Sequence, residues 1–297
     1  MSLLSVILPI VIMVAAGYAL ARYTTVETHS LSRVTIYLLT PSLVFTALVK
    51  TDLQAVGGYR LIALVVCQFA VLLLVSALAG RALRLPREER AGLSLATVLY
   101  NAGNYGLPVA LFAFGQEGFR IATVVFVMSA IVAHSVGIYL ASSGRNHPLR
   151  AIRDVFRLPL IYASALGLLV GQLRWPVPDA LWRPLDLMGQ GAIPMLLIAL
   201  GVQLGQAGST TVSRSLGVAA VLRLLVSPLI TAALVPWFGV AGVAGRVAIL
   251  STAMPTAVNA FLLAAQFQAA PSFVASAVFL STIASFVSVS IVLLLIR

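Results

Sequence analysis

Two short polar stretches carry residue types able to hold a small anion: "NAGNYGLP" (Asn101 to Pro108) and "MPTAVN" (Met254 to Asn259). Each mixes side-chain amides or hydroxyls with a proline, and each lies in apolar surroundings. Leu93 to Leu99 and Pro108 to Phe114 flank the first. At about 1.5 Å per helical residue each flank reaches about 10 Å, far short of a bilayer core of about 30 Å. The polar residues therefore sit inside a membrane span and not in a loop between spans. Backbone that leaves a helix within lipid persists only where protein or a wet cavity satisfies its freed groups. Pro108 and Pro255 suit the first turn of a resumed half-helix, where a missing N–H is no loss. The N-terminus of such a half-helix offers free N–H groups and a partial positive charge, which favours an anion. Asn101, Asn104, Thr256 and Asn259 add side-chain donors and acceptors at the same depth, and Tyr100 is a candidate wall. A carboxylate held by neutral amides fits this chemistry. The competing reading makes the asparagines interhelical glue, worth about 0.6 to 2 kcal/mol each.

Two other ionisable residues lie deep in apolar runs. His134 is a candidate proton carrier or substrate ligand, against the plainer reading of a hydrogen-bonded packing histidine. Arg223 falls near the middle of a span, where a charge is a functional candidate by default. Its alternative is a tie from that span to backbone carbonyls or to Gln68. Tyr105 reads as packing.

The surrounding elements must be membrane helices. Hydrophobic residues make up 61% of the 297-residue chain and charged residues only 9%, with a mean hydropathy of +1.06. A soluble domain of that length needs far more charge to cover its surface. The first apolar run has no basic region before it and no small-residue cleavage site, so it is expected to be a retained span. The net charge of +11 is spread over short connections, where arginine anchors helix ends at the lipid interface. That pattern speaks for a bilayer and against nucleic acid. The single cysteine, Cys67, excludes an internal disulfide. No zinc-type cluster, phosphate loop or nucleophile elbow is present in the sequence, so neither a metal nor a cofactor is expected.

Apolar runs between charged connections predict an all-α integral membrane protein of ten spans, near 5–21, 34–49, 61–80, 91–114, 121–141, 159–173, 185–204, 216–238, 247–267 and 273–296. The chain also repeats itself. "PIVIMVAAGYAL" from Pro9 resembles "PLIYASALGLLV" from Pro159, and the stretch around Pro41 matches that around Pro194. Gln68 precedes Arg223, and Asn104 precedes Asn259, by the same 155 positions. Five spans per repeat is odd, so residues 146–297 form an inverted copy of residues 1–145, an arrangement common in secondary transporters. The two polar breaks then occupy matching positions of spans four and nine, which favours a binding site over glue. Connections after spans one, three, five, seven and nine carry eleven arginines, against seven basic residues on the other face. The positive-inside rule puts both termini outside, in the periplasm of a cell with an inner membrane.

The segments "ILPIVIMVAAGYALAR", "LSRVTIYLLTPSLVF", "GAIPMLLIALGVQL", "LRLLVSP" and "TAMPTAVNAFLLAAQF" together resemble the auxin efflux carrier family, in order and over essentially the whole chain. That family includes bacterial carriers for dicarboxylates such as malonate and malate, and plant auxin exporters. The resemblance implies the fold shared with bile-acid/sodium symporters: a scaffold of spans 1, 2, 6 and 7, and a transport domain of spans 3–5 and 8–10. In that fold the broken spans four and nine cross beside the substrate carboxylate. By motif, Asn101 matches the family's substrate-binding crossover asparagine and Pro255 the crossover proline of span nine.

The expectation is thus an elevator-like or rocking carrier for organic carboxylate anions, auxin-like monocarboxylates or malate-like dicarboxylates, and not an enzyme. No Asp or Glu lies deep in any span, whereas proton pumps and many sodium sites rely on buried carboxylates. A weakly coupled or uncoupled anion carrier is expected, with membrane potential as a candidate drive and any proton coupling running through His134 or the substrate's own carboxylate. The rivals are a sodium-coupled organic anion symporter and, further off, an anion channel. Pro41 and Pro194 are expected to line the scaffold side or to kink their spans. Gly17, Gly167 and Gly171 suggest close helix packing, including a homodimer contact.

Overall fold

The computed structural model describes residues 3–54, 57–141, 156–206 and 213–296. Among these residues every regular element is helical, as lipid demands of a chain that must satisfy its own backbone. In chain order they are α1 (Leu3–Tyr23), α2 (28–49), α3 (Gly58–Ala82) and α4 (Arg87–Val98). After a break come α5 (102–141), α6 (Pro159–Gln172), α7 (Asp179–Gln206) and α8 (214–237). The last are α9 (Gly242–Thr252), α10 (Val258–Phe267) and α11 (Pro271–Ile296). Among the described residues seven helical segments are long and apolar enough to cross a membrane. The expected boundary between halves at 145–146, and the basic residues Arg145, Arg150 and Arg153, lie outside the described residues.

Prolines shape three of these helices in one way. Wide π-helical turns at Thr35–Leu39, Ala102–Gly106 and Leu222–Val226 each end two residues before Pro41, Pro108 or Pro228. A proline has no N–H to donate and its ring crowds the carbonyl four residues back. The chain widens in response. Thr40, Leu107 and Ser227, each just before its proline, donate to the carbonyl five residues back.

The 40-residue stretch Ala102–Ala141 would measure about 60 Å as one straight helix, twice a bilayer core. It does not run straight. Gly115 sits at φ 64°, ψ −155°, a conformation open to glycine alone. Gly103 and Phe126 are in contact, since a Cβ on Gly103 would stand 2.8 Å from the Phe126 ring. In a straight helix they would be about 34 Å apart. The stretch therefore folds back at Gly115, between the spans expected at 91–114 and 121–141.

Small residues draw the remaining helices together. A Cβ on Gly17 of α1 would overlap the backbone carbonyl of Ile198 in α7, and one on Gly201 of α7 would overlap that of Val14 in α1. In the same manner Gly167 and Gly171 of α6 lie against the carbonyls of Phe45 and Val49 in α2, at 2.9 and 2.7 Å from an added Cβ. Lipid offers no hydrophobic drive between helices, so such close backbone approach is what holds them. These glycines pack helices closely within the chain, as their sequence reading expects. Elsewhere α3 packs against α4 and α8, α9 against α5 and α8, and α10 against α11.

Candidate functional site

The two polar stretches break their helices and meet. α4 ends at Val98, with Leu99 extended, and α9 ends at Thr252. The Asn101 N–H donates to the Pro255 carbonyl at 2.8 Å, and the Ala257 N–H donates to the Leu99 carbonyl at 2.8 Å. Tyr100 and Thr256 thereby form an isolated antiparallel pair. Each break supplies the partners the other needs, which is how non-helical backbone survives at this depth. Thr256 adds two further ties, its N–H donating to Ser281 Oγ at 3.0 Å and its hydroxyl to the Ala96 carbonyl at 2.7 Å.

A cavity of about 360 Å³ opens beside this meeting point. Asn101, Asn104 and the first turn of α10 (Val258, Asn259) form one wall. Phe126, Ser129 and His134 of α5 line the cavity too, with Thr35, Ile36, Tyr37 and Thr40 of α2 and Leu196 and Gln203 of α7. Among the described residues lining it there is no Asp, Glu, Lys or Arg. Asn101 is buried, its Oδ1 accepting the Asn104 N–H at 3.1 Å. Its Nδ2 is buried and has no partner, so this cavity-lining residue carries an unused amide donor. Ala257 begins α10 without any side-chain cap, so the helix's first N–H groups are likewise uncapped.

The other candidates divide. Tyr100 lines the cavity and stacks on Phe69, centroids 5.3 Å apart. Asn104, half-buried, and Asn259, exposed, both line it. His134 lines it with Nδ1 at 2.9 Å from the Ala130 carbonyl one turn earlier. Pro108, Pro255 and Thr256 are buried behind the wall, where they shape the breaks. Pro41 and Pro194 are not among the lining residues, and Pro194 is exposed. Tyr105 is buried against Phe286, as packing predicts.

Arg223 is fully buried and stands behind Tyr100, its guanidinium carbon 5.0 Å from the ring centroid. Nη1 donates to the Thr97 carbonyl, and Nη2 to the Thr252 carbonyl and Ser227 Oγ. Gln68 reaches this cluster through Ser227, donating from Nε2 to Oγ at 3.2 Å.

A family profile described as "Membrane transport protein" matches residues 2–293. The chain belongs to that family, the auxin efflux carriers. An uncharacterized transporter of Methanothermobacter thermautotrophicus is 29% identical over 295 residues, covering 95% of this chain and 94% of its own. Another uncharacterized transporter, from Methanocaldococcus jannaschii, is 24% identical over 290 residues, covering 94% of each chain. The membrane transport protein reading fits a nearly all-helical chain whose breaks meet in its interior. Sequence reasoning missed Gln203, a cavity-lining residue of α7 whose buried Oε1 has no partner. A lone glutamine within the apolar run "IALGVQLG" was the available signal.

Proposed function

We propose that the protein is a secondary transporter moving organic carboxylate anions across the cell membrane by alternating access. The observation that carries this reading is the Asn101 amide, buried, its oxygen committed to Asn104 and its nitrogen without a partner, in a cavity with no Asp, Glu, Lys or Arg among its described lining residues. A neutral two-donor amide beside an uncapped helix start matches a carboxylate that must be bound and then let go.

The architecture we infer has ten spans in two inverted halves, with α4 and α5 before Gly115 as span four and α9 with α10 as span nine. Internal contacts support it. Gly17 meets Ile198 and Gly167 meets Phe45, and these pairs exchange under an offset of 150 to 153 residues. In this reading α1, α2, α6 and α7 form a scaffold, the remaining helices carry the crossing, and sliding of one body past the other exposes the cavity to each side. The arginine distribution places both termini outside the inner membrane.

The test is a thermal-shift screen of mono- and dicarboxylates against the wild type and Asn101→Ala, followed by flux in proteoliposomes. An organic acid that stabilises the wild type and not the variant supports the reading. Equal stabilisation of both overturns it.

A further inference from the structure

Arg223 heads the largest side chains that are fully buried in the described residues, and none of their ion pairs includes it. A lone charge in a membrane interior is costly and needs compensation. Its compensation comes from an unusual place. Thr97 and Thr252, whose carbonyls accept from the guanidinium, are the last residue but one of α4 and the last residue of α9. Helix C-termini carry unpaired carbonyls and a partial negative charge. Two such ends, both halves of the crossing, converge on one cation. Ser227 Oγ adds a third oxygen and the Tyr100 ring face closes the shell, with only Nε left unpartnered.

Two backbone carbonyls at half-helix ends, a hydroxyl and an aromatic face are the donor set of a monovalent cation site. Ion-coupled carriers hold their coupling ion with unwound carbonyls and half-helix C-termini of this kind. Here the position is filled by a guanidinium tethered to α8 through the π-helical turn Leu222–Val226. We propose that Arg223 is the resident cation of the crossing, a positioning residue that pins α4 to α9 in every state of the cycle, so that no sodium or potassium ion is taken up there. A tethered cation is present whether the cavity is empty or loaded. Anion binding then waits on no ion, and the empty carrier returns without one. The consequence for transport rests on the anion-carrier reading above; the occupancy of the site does not.

The test uses the purified full chain and no substrate. Thermal midpoints are compared in sodium chloride and choline chloride for the wild type, Arg223→Ala, Arg223→Met and Arg223→Lys. The wild type is expected to be indifferent to the exchange. Arg223→Ala, with the carbonyls bared and room vacated, is expected to melt earlier and to regain about 2 °C or more with low methylguanidinium. Arg223→Met fills the volume without charge and is expected to melt early with no such response. Arg223→Lys, which keeps a charge but loses the forked geometry, falls between and stays indifferent to sodium. A wild-type midpoint raised by sodium overturns the proposal, as does Arg223→Met melting with the wild type. Should Arg223→Ala fail to fold, the wild-type and Met arms still decide.

Discussion

The backbone N–H of Asn101 donates to the carbonyl of Pro255 at 2.8 Å, joining two residues 154 positions apart at the point where both their helices break. Asn101 therefore does two jobs with separate groups. Its main chain completes the pairing of the breaks, while its side chain caps the Asn104 N–H with Oδ1 and keeps an unused donor on Nδ2. The backbone job survives any substitution that keeps an N–H, whereas Asn101→Ala loses the Oδ1 bond to the Asn104 N–H together with the free donor, and Asn101→Asp keeps an oxygen for that bond.

Asn101→Ala removes a hydrogen bond to a charged ligand, a loss of about 1.5 to 3 kcal/mol, or roughly ten- to a hundredfold in affinity. Asn101→Asp should weaken binding further, because its carboxylate faces the ligand's own. Titration calorimetry with an acid found in the thermal screen checks the order. An aspartate variant that binds as well as the wild type contradicts a carboxylate at this position.

Thr256 sits behind the wall and should matter to the fold and not to the ligand. Thr256→Val loses the hydroxyl bond to the Ala96 carbonyl, and about 1 kcal/mol of stability with it. Thr256→Ser keeps the donor and should recover most of that loss. Denaturant midpoints read the effect, and ligand affinity of the folded Val variant should fall less than that of Asn101→Ala.

Glycines of opposite circumstance should respond with opposite signs. Gly201→Val drives a side chain into the Val14 carbonyl, and the cost should reach the upper end of the about 1 to 3 kcal/mol seen for overpacking. Gly217 in α8 has open space around its Cβ position and no positive φ. Gly217→Ala should therefore stabilise the helix by about 0.5 to 1 kcal/mol. Thermal midpoints of the two variants in one detergent settle both signs.

What could be read in advance follows a physical line. Asn101 and Pro255 announced themselves because polar and helix-breaking residues are conspicuous in an apolar run. The turn at Gly115 was foreshadowed by Glu117 and Arg120, charges that belong at an interface. Arg223 stayed undecided because its acceptors are backbone carbonyls of Thr97 and Thr252, 126 and 29 positions away, and carbonyls leave no mark on a sequence. Gly17 and Gly167 signalled close approach without naming the helix approached, because a small residue marks where two backbones meet and not which two. Gln203 escaped because one glutamine in a span says nothing about which side of a cavity it faces.

Gln203 is where selectivity among acids should be found. It lines the same cavity as Asn101, from α7, and its Oε1 is buried without a partner. An unused amide donor on Asn101 and an unused amide acceptor on Gln203, in residues lining one cavity, suit a ligand with a carboxylate and a hydroxyl or N–H. A buried acceptor left unpaired penalises a ligand that lacks the donor, which is how polar sites discriminate strongly between near-isosteres. Lactate and propionate differ by one hydroxyl in this sense. The wild type should favour lactate of the two, and Gln203→Leu should erase the preference, a change of about tenfold in their affinity ratio. Competition against a bound acid measures both ligands in one assay. If the leucine variant weakens the pair equally, Gln203 only supports the wall and selectivity lies with the crossing alone.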